Sequence, residues 1–154
     1  MRFERRFTKA GQDPYATIDF RLATSEIRNP DGTIVFQADN VEVPAQFSQV
    51  ATDILAQKYF RKAGVPRVSR RVEETSVPSW LWRSVPDEKA LDDLPEDQRF
   101  VGETSAKQVF NRLAGTWTYW GWKGGYFTSE EDALTYYDEM CHMLAMQMAA
   151  PNSP

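Results

Sequence analysis

Chemistry in this chain would have to start from very few side chains. Cys141 and His142 are its only cysteine and its only histidine. Neighbours on a helix point about 100° apart, so the two do not converge on one centre. Nothing identifies a third group to orient a Cys/His nucleophile pair. The two read as a core cysteine beside a partly exposed histidine. One Cys and one His also fall short of a structural zinc site unless carboxylates or another chain complete the set, so no metal is expected. The run Gly121-Trp122-Lys123-Gly124-Gly125 has the glycines of an anion-binding loop and a lysine to add charge. Its spacing does not match G-x-x-x-x-G-K-[ST] and no strand precedes it, so a helix end followed by a turn is the simpler account. A nucleotide-binding domain using those glycines is the weakest of three readings of the chain.

The other candidates are diffuse. Arg61, Lys62, Arg67, Arg70 and Arg71 are close enough in sequence to meet phosphate or an acidic surface, although a solvated helix end and loop explains them as well. Trp117, Tyr119, Trp120, Trp122, Tyr126 and Phe127 match a base-stacking platform in composition, but at helical spacing such residues serve a core or an interface. Glu73 with Glu74, and Asp92 with Asp93, are adjacent pairs without catalytic geometry. No catalytic residue is assigned.

The elements that would position these groups follow from periodicity. Ile18, Phe20 and Leu22 alternate with Asp19 and Arg21, and Ile34, Phe36 and Ala38 return after the turn residues Asn29-Pro30-Asp31-Gly32, which predicts a β-hairpin. From Ala45 the period becomes helical, with Phe47, Val50, Ala51, Ile54, Leu55 and Tyr59 on one stripe, and Gly64 and Pro66 stop it. Connecting structure follows, with a short helix over residues 88–94 and anchors at Trp80, Leu81 and Trp82. A second long helix starts at Ser105, whose spacing to Gln108 is that of a capping box. A third starts at Thr128, with Glu131 at the same spacing, and runs through Met148, about 21 residues and roughly 30 Å. Its broad apolar surface, from Leu134 and Tyr137 through Cys141 and Leu144 to Met148, predicts contact on more than one side and a partner surface. The fold class expected is α+β, mainly α: an N-terminal arm with a β-hairpin over residues 1–44, a helical domain over 45–150, and a terminal Pro151-Asn152-Ser153-Pro154 that reads as leading into further polypeptide.

Composition bounds the function classes. A chain of 154 residues is one ordinary domain, and 42% hydrophobic with 13% aromatic residues is enough to build a core. Eighteen basic against twenty-two acidic residues give a net charge of -4, the wrong sign for neutralising nucleic-acid phosphates. No run of about 18 apolar residues suggests a membrane span. A cytoplasmic location is expected, and the lone cysteine fits a reducing compartment.

Longer strings go beyond class-level pattern. Arg2-Phe3-Glu4-Arg5-Arg6-Phe7, Gly11-Gln12-Asp13-Pro14-Tyr15, the run from Gln57-Lys58-Tyr59-Phe60 to Gly64-Val65-Pro66, Ser76-Val77-Pro78-Ser79-Trp80-Leu81-Trp82, Leu113-Ala114-Gly115-Thr116-Trp117-Thr118-Tyr119-Trp120-Gly121 and the terminal Ala150-Pro151-Asn152-Ser153-Pro154 together span most of the chain. They resemble the amino-terminal region of the adenosylcobalamin-dependent, class II ribonucleotide reductases. The resemblance implies a radical enzyme, a ribonucleoside-diphosphate reductase, although the residues themselves do not separate diphosphate from triphosphate substrates. It implies replacement of the ribose 2'-hydroxyl by hydrogen, starting from homolysis of the cobalt-carbon bond and a thiyl radical inside a ten-stranded α/β barrel that follows this region. The family's catalytic cysteines lie beyond the point matching Pro154, and Cys141 matches none of them. Adenosylcobalamin would likewise bind outside this segment. The implied partners are the catalytic barrel, the ribonucleotide substrate and a thioredoxin-like reductant, with homodimerisation left open. One functional position carries over: the hydroxyl of the Asn-Ser-Pro segment, Ser153, as a contact to the substrate's phosphate end. The competing reading from another class is a free-standing interaction module derived from this domain.

Overall fold

The computed structural model describes residues 1–152. Strands β1 (Phe20–Arg28) and β2 (Ile34–Pro44) form the expected antiparallel hairpin, paired from Phe20 opposite Pro44 to Arg28 opposite Ile34 with register shifts between Ala23 and Ser25 and between Ile27 and Arg28. Its turn uses the anticipated residues: the Gly32 N–H donates to the Asn29 carbonyl at 2.9 Å, the Asp31 carboxylate accepts from the Thr33 N–H at 2.9 Å, and Gly32 takes φ 87°. The face turned to the core is the one carrying Ala23, Ser25, Val41 and Val43, while Leu22 is 65% exposed. Local alternation alone could not choose that face. Small Ala23 and Ser25 fit close against the first helix, where the Ser25 hydroxyl donates to Asp53 at 2.7 Å.

That helix, α1 (Gln49–Ile54), starts four residues later than Ala45, at an N-cap where the Ser48 hydroxyl accepts from the Ala51 N–H at 3.1 Å. It widens into a π turn over Leu55–Tyr59, closed by the Phe60 N–H on the Leu55 carbonyl at 3.1 Å. The predicted apolar stripe splits: Phe47 and Leu55 are buried, whereas Val50 and Ile54 face outward at 67% and 51% exposure.

Residues between the π turn and the next long helix are held by two short pairings, β3 (Val65–Pro66) with β6 (Phe100–Val101) and β4 (Ser69–Arg71) with β5 (Ser84–Pro86), and by one short helix, α2 (Glu88–Asp92). Leu81 and Leu91 are their buried anchors. Helix α3 (Ala106–Lys123) begins at the expected capping box: Ser105 accepts from the Lys107 N–H at 3.2 Å, and Gln108 accepts from the Ser105 N–H at 3.0 Å. Helix α4 (Glu130–Ala145) is capped by Ser129 rather than Thr128, since the Ser129 hydroxyl accepts from the Asp132 N–H at 3.2 Å while the Thr128 N–H is taken by the Met1 carbonyl. Helix accounts for 37% of the chain and strand for 20%, so the class is mixed α/β with a hairpin followed by helices.

Helix α4 also ends earlier than the apolar pattern suggests. Gln147 takes φ 56°, its N–H donates to the Leu144 carbonyl at 3.2 Å, and the Met148 N–H reaches back to the Met143 carbonyl at 2.9 Å. That pair of bonds is a Schellman motif with glutamine in the left-handed position usually filled by glycine.

The second side of α4 is covered by the chain's own start. Residues 1–8 lie along it, with the Phe3 N–H on Asp132 at 2.8 Å, Arg5 on Asp138 at 2.6 Å, and the Thr8 hydroxyl and N–H on Glu139 at 2.6 and 2.9 Å. Phe3 sits edge-on to Tyr136 at 5.3 Å between ring centroids, and Phe7 stacks on His142 at 5.4 Å. The Phe3 N–H, with help from Ser129, holds the Asp132 carboxyl below its ordinary range. Burial works against the Glu139 carboxylate, but Thr8 and the neighbouring amides outweigh it and its pKa is also lowered.

Two predictions follow from these contacts. Replacing Gln147 by Gly relieves the left-handed strain and raises unfolding stability by about 1 kcal/mol; an unchanged or lower denaturation midpoint contradicts the strain. Because Asp132 and Glu139 have depressed pKa values in the folded state, their contribution is present above the ordinary carboxylate range and is lost as pH falls below that range through the lowered folded values. Once the pH is below those values, and so below the roughly pH 4 of ordinary carboxylates, the NMR signals of the Phe3 and Thr8 amides should move to disordered positions while those of Val41 and Val109 stay native. Signals of the first segment that remain folded until the core melts would contradict this.

Candidate functional site

The core lies where the hairpin base, α1 and the α3–α4 pair meet, around Val41, Val43, Phe47, Val109, Phe110 and Leu144. Cys141 belongs to it. The thiol is fully buried and its Sγ lies 3.6 Å from the Asn111 side-chain oxygen. Burial pushes its pKa up to about 12, the opposite of what a nucleophilic thiol needs. His142 is not partly exposed as expected but buried at 7% exposure. Its Nδ1 lies 3.3 Å from the Pro14 carbonyl, which makes that nitrogen the donor, and its ring is covered by Phe7. The two side chains serve the packing of α4 on two different sides.

The glycine run is the end of α3. Gly124 caps the helix and Gly125 takes φ 68°. At Gly121 a Cβ would come within 2.7 Å of the Phe127 ring, so the missing side chain admits that ring. Lys123 is ion-paired to Glu74 at 2.6 Å, and the Tyr119 hydroxyl donates to the same carboxylate at 2.7 Å. Lys123 first and Tyr119 second lower the Glu74 pKa. A lysine so engaged, with Trp122 Nε1 donating to the Ser76 carbonyl at 2.6 Å beside it, ties the α3 end to the connecting segment and does not form a phosphate loop.

The remaining candidates disperse. Arg67 donates to the Gln98 carbonyl at 3.0 Å and Arg71 to the Trp82 carbonyl, while Lys62 lies 4.1 Å over the Phe36 ring. Of the aromatic group, Phe127 packs between Phe3 and Tyr136, Trp117 joins the core edge, and only Trp120 and Tyr126 are exposed. Ser153 lies outside the described residues.

What the periodicity did not reveal is a groove of about 530 Å³ between α1, α3 and the reversal after α4. Phe110, Leu113 and Leu144 line its depth. Val50 and Ile54 form one rim, and Met148 to Pro151 form the other. Among the lining side chains only Ser48, Tyr59 and Gln147 carry polar atoms. The hint was present in the sequence as Val50 and Ile54 at helical spacing, but their exposure depends on where α1 docks.

The groove does not fit a corrinoid, because beyond Ser48, Tyr59 and Gln147 its lining offers no polar side chains to meet the corrin's amide fringe. Among the described residues no group of three or more His, Cys, Asp or Glu side chains is placed to hold a metal ion, and no helix is long and apolar enough to cross a membrane.

Fold and groove together give a hairpin and helices around one core, with an apolar groove on one side and with Cys141, His142 and Lys123 engaged in packing contacts. Comparison with known proteins gives the family. A profile described as class II vitamin B12-dependent ribonucleotide reductase matches residues 21–147. Vitamin B12-dependent ribonucleotide reductases of Bradyrhizobium diazoefficiens and Agrobacterium fabrum are 71% and 67% identical to the chain over all 154 residues, and that of Rhodopirellula baltica is 28% identical over 155. The chain belongs to the class II vitamin B12-dependent ribonucleotide reductases, as their N-terminal domain. It spans 12% of the length of each of these three relatives.

The position of Cys141 carries its own test. With a pKa near 12, roughly one thiol in ten thousand is ionised at pH 8. Iodoacetamide should therefore leave the folded chain unmodified at that pH and label it fully in denaturant. Labelling of folded protein at the unfolded rate would contradict the burial.

Proposed function

We propose that this domain is the structural support of a reductase that converts ribonucleotides to deoxyribonucleotides for DNA synthesis in the cytoplasm. The observation that carries the reading is a combination: membership of the reductase family together with a sole cysteine that is sealed in the core. The chemistry then belongs to other parts of the polypeptide, in a catalytic barrel against which this domain packs. The proposed cofactor is cobalamin in its adenosyl form, the proposed reductant is thioredoxin-like, and the proposed substrate is a ribonucleoside diphosphate. Supplying a rigid platform is a physical role in itself, since a barrel mouth is shaped by what packs on it. Ser153 is proposed to donate its hydroxyl to the substrate's phosphate end, as the likeness of the Asn-Ser-Pro segment implies.

Purified full-length reductase carrying this segment should reduce ribonucleoside diphosphates only when adenosylcobalamin and a dithiol reductant are supplied, and the 154-residue chain alone should show no turnover. In the full-length protein, Ser153→Ala should raise KM several-fold and leave kcat nearly unchanged, a loss of uniform binding. A full-length chain without cobalamin-dependent reduction sinks the reading, and an unchanged KM removes Ser153 from it.

A further inference from the structure

The apolar groove calls for an occupant. Val50 and Ile54, one helical turn apart on the same side of α1, stand 67% and 51% exposed although their neighbours Leu55 and Ala56 are buried. Across the groove, Met148 is 50% exposed at the end of the Schellman reversal. The lining side chains described carry no charge, in a chain that is 26% charged overall. A nucleotide is excluded as the ligand, because no cation or cluster of donors is there to meet its phosphates. A concave apolar slot between helices suits an amphipathic helix with anchors at i, i+3 or i+4, and i+7.

We propose that the groove seats an apolar helix from the catalytic part of the same polypeptide, the part that follows the position matching Pro154 in the longer relatives. The proposal rests on the reading of the chain as a reductase N-terminal domain. Two observations favour this occupant. The relatives are about eight times as long as this segment, which spans 12% of them. The groove's second rim is the stretch from Met148 to Pro151, so polypeptide joined beyond it sets out from the rim. A segment so tethered meets the groove at an effective concentration on the order of millimolar, which an untethered partner would have to match in solution.

Thiol footprinting of the full-length holoenzyme tests this without depending on activity. Val50→Cys and Ile54→Cys place small side chains at exposed positions of this domain, and Glu88→Cys on the remote α2 serves as the open reference. Maleimide labelling, read by peptide mass spectrometry and normalised to the denatured protein, should be at least about tenfold slower at 50 and 54 than at 88. Labelling at all three positions with equal speed, in holoenzyme whose unmodified form reduces ribonucleotides, overturns the groove while leaving the family role intact. Protection that disappears on dilution assigns the seat to a second copy and also overturns the proposal. Unmodified full-length protein that shows no cobalamin-dependent turnover removes the reading itself and the groove's occupant with it.

Discussion

The close contact of α3 with α4 is the constraint on which everything else depends. Ala106 and Ala114 on one helix, and Ala133, Cys141 and Ala145 on the other, are completely buried, and such small side chains let helices approach at the short end of ordinary interaxial distances. Once those two axes are fixed, the hairpin base and Phe47 close one end of the pair and the N-terminal segment closes the outer side of α4. The candidates Cys141, His142 and Lys123 are used up in that assembly. Cys141 sits in the helix seam, His142 anchors Pro14 and Phe7, and Lys123 holds Glu74 at the far end of α3.

The same assembly explains why one apolar surface is left over. Helix α1 is too short to wrap the pair, and its π turn swings the chain toward β3 before Val50 and Ile54 can find partners. The early stop of α4 at Gln147 then leaves Met148 on the opposite rim rather than on the helix. A surface of this kind is uncommon on a protein that works alone. It fits a domain whose neighbour is the larger part of a reductase.

Much of this was legible in the sequence where the signal is local. The Asn29-Pro30-Asp31-Gly32 turn, the Ser105/Gln108 capping box and the glycine stop after α3 each depend on residues a few positions apart, and each stands where expected. The broad surface of α4 was recognised, but part of the helix's cover comes from residues 1–8, more than 120 positions away, through Arg5 on Asp138 and Thr8 on Glu139. No periodicity encodes such a pairing. Thr128 and Ser129 are both good caps, and the structure uses Ser129, whose hydroxyl accepts from the Asp132 N–H. The inward face of β1 was equally undetermined until Ser25 met Asp53. As for function, the long Trp-rich strings carried the family, whereas the groove emerges only when three elements are set beside one another.

The central claim is that this domain is a platform completed by the rest of the reductase. A cryo-electron microscopy map of the full-length enzyme would address it most directly. The account predicts an ordered apolar helix from the catalytic part lying between Val50 and Ile54 on one side and Met148 on the other. A map in which those three side chains face solvent, with the catalytic part packed elsewhere, would contradict it.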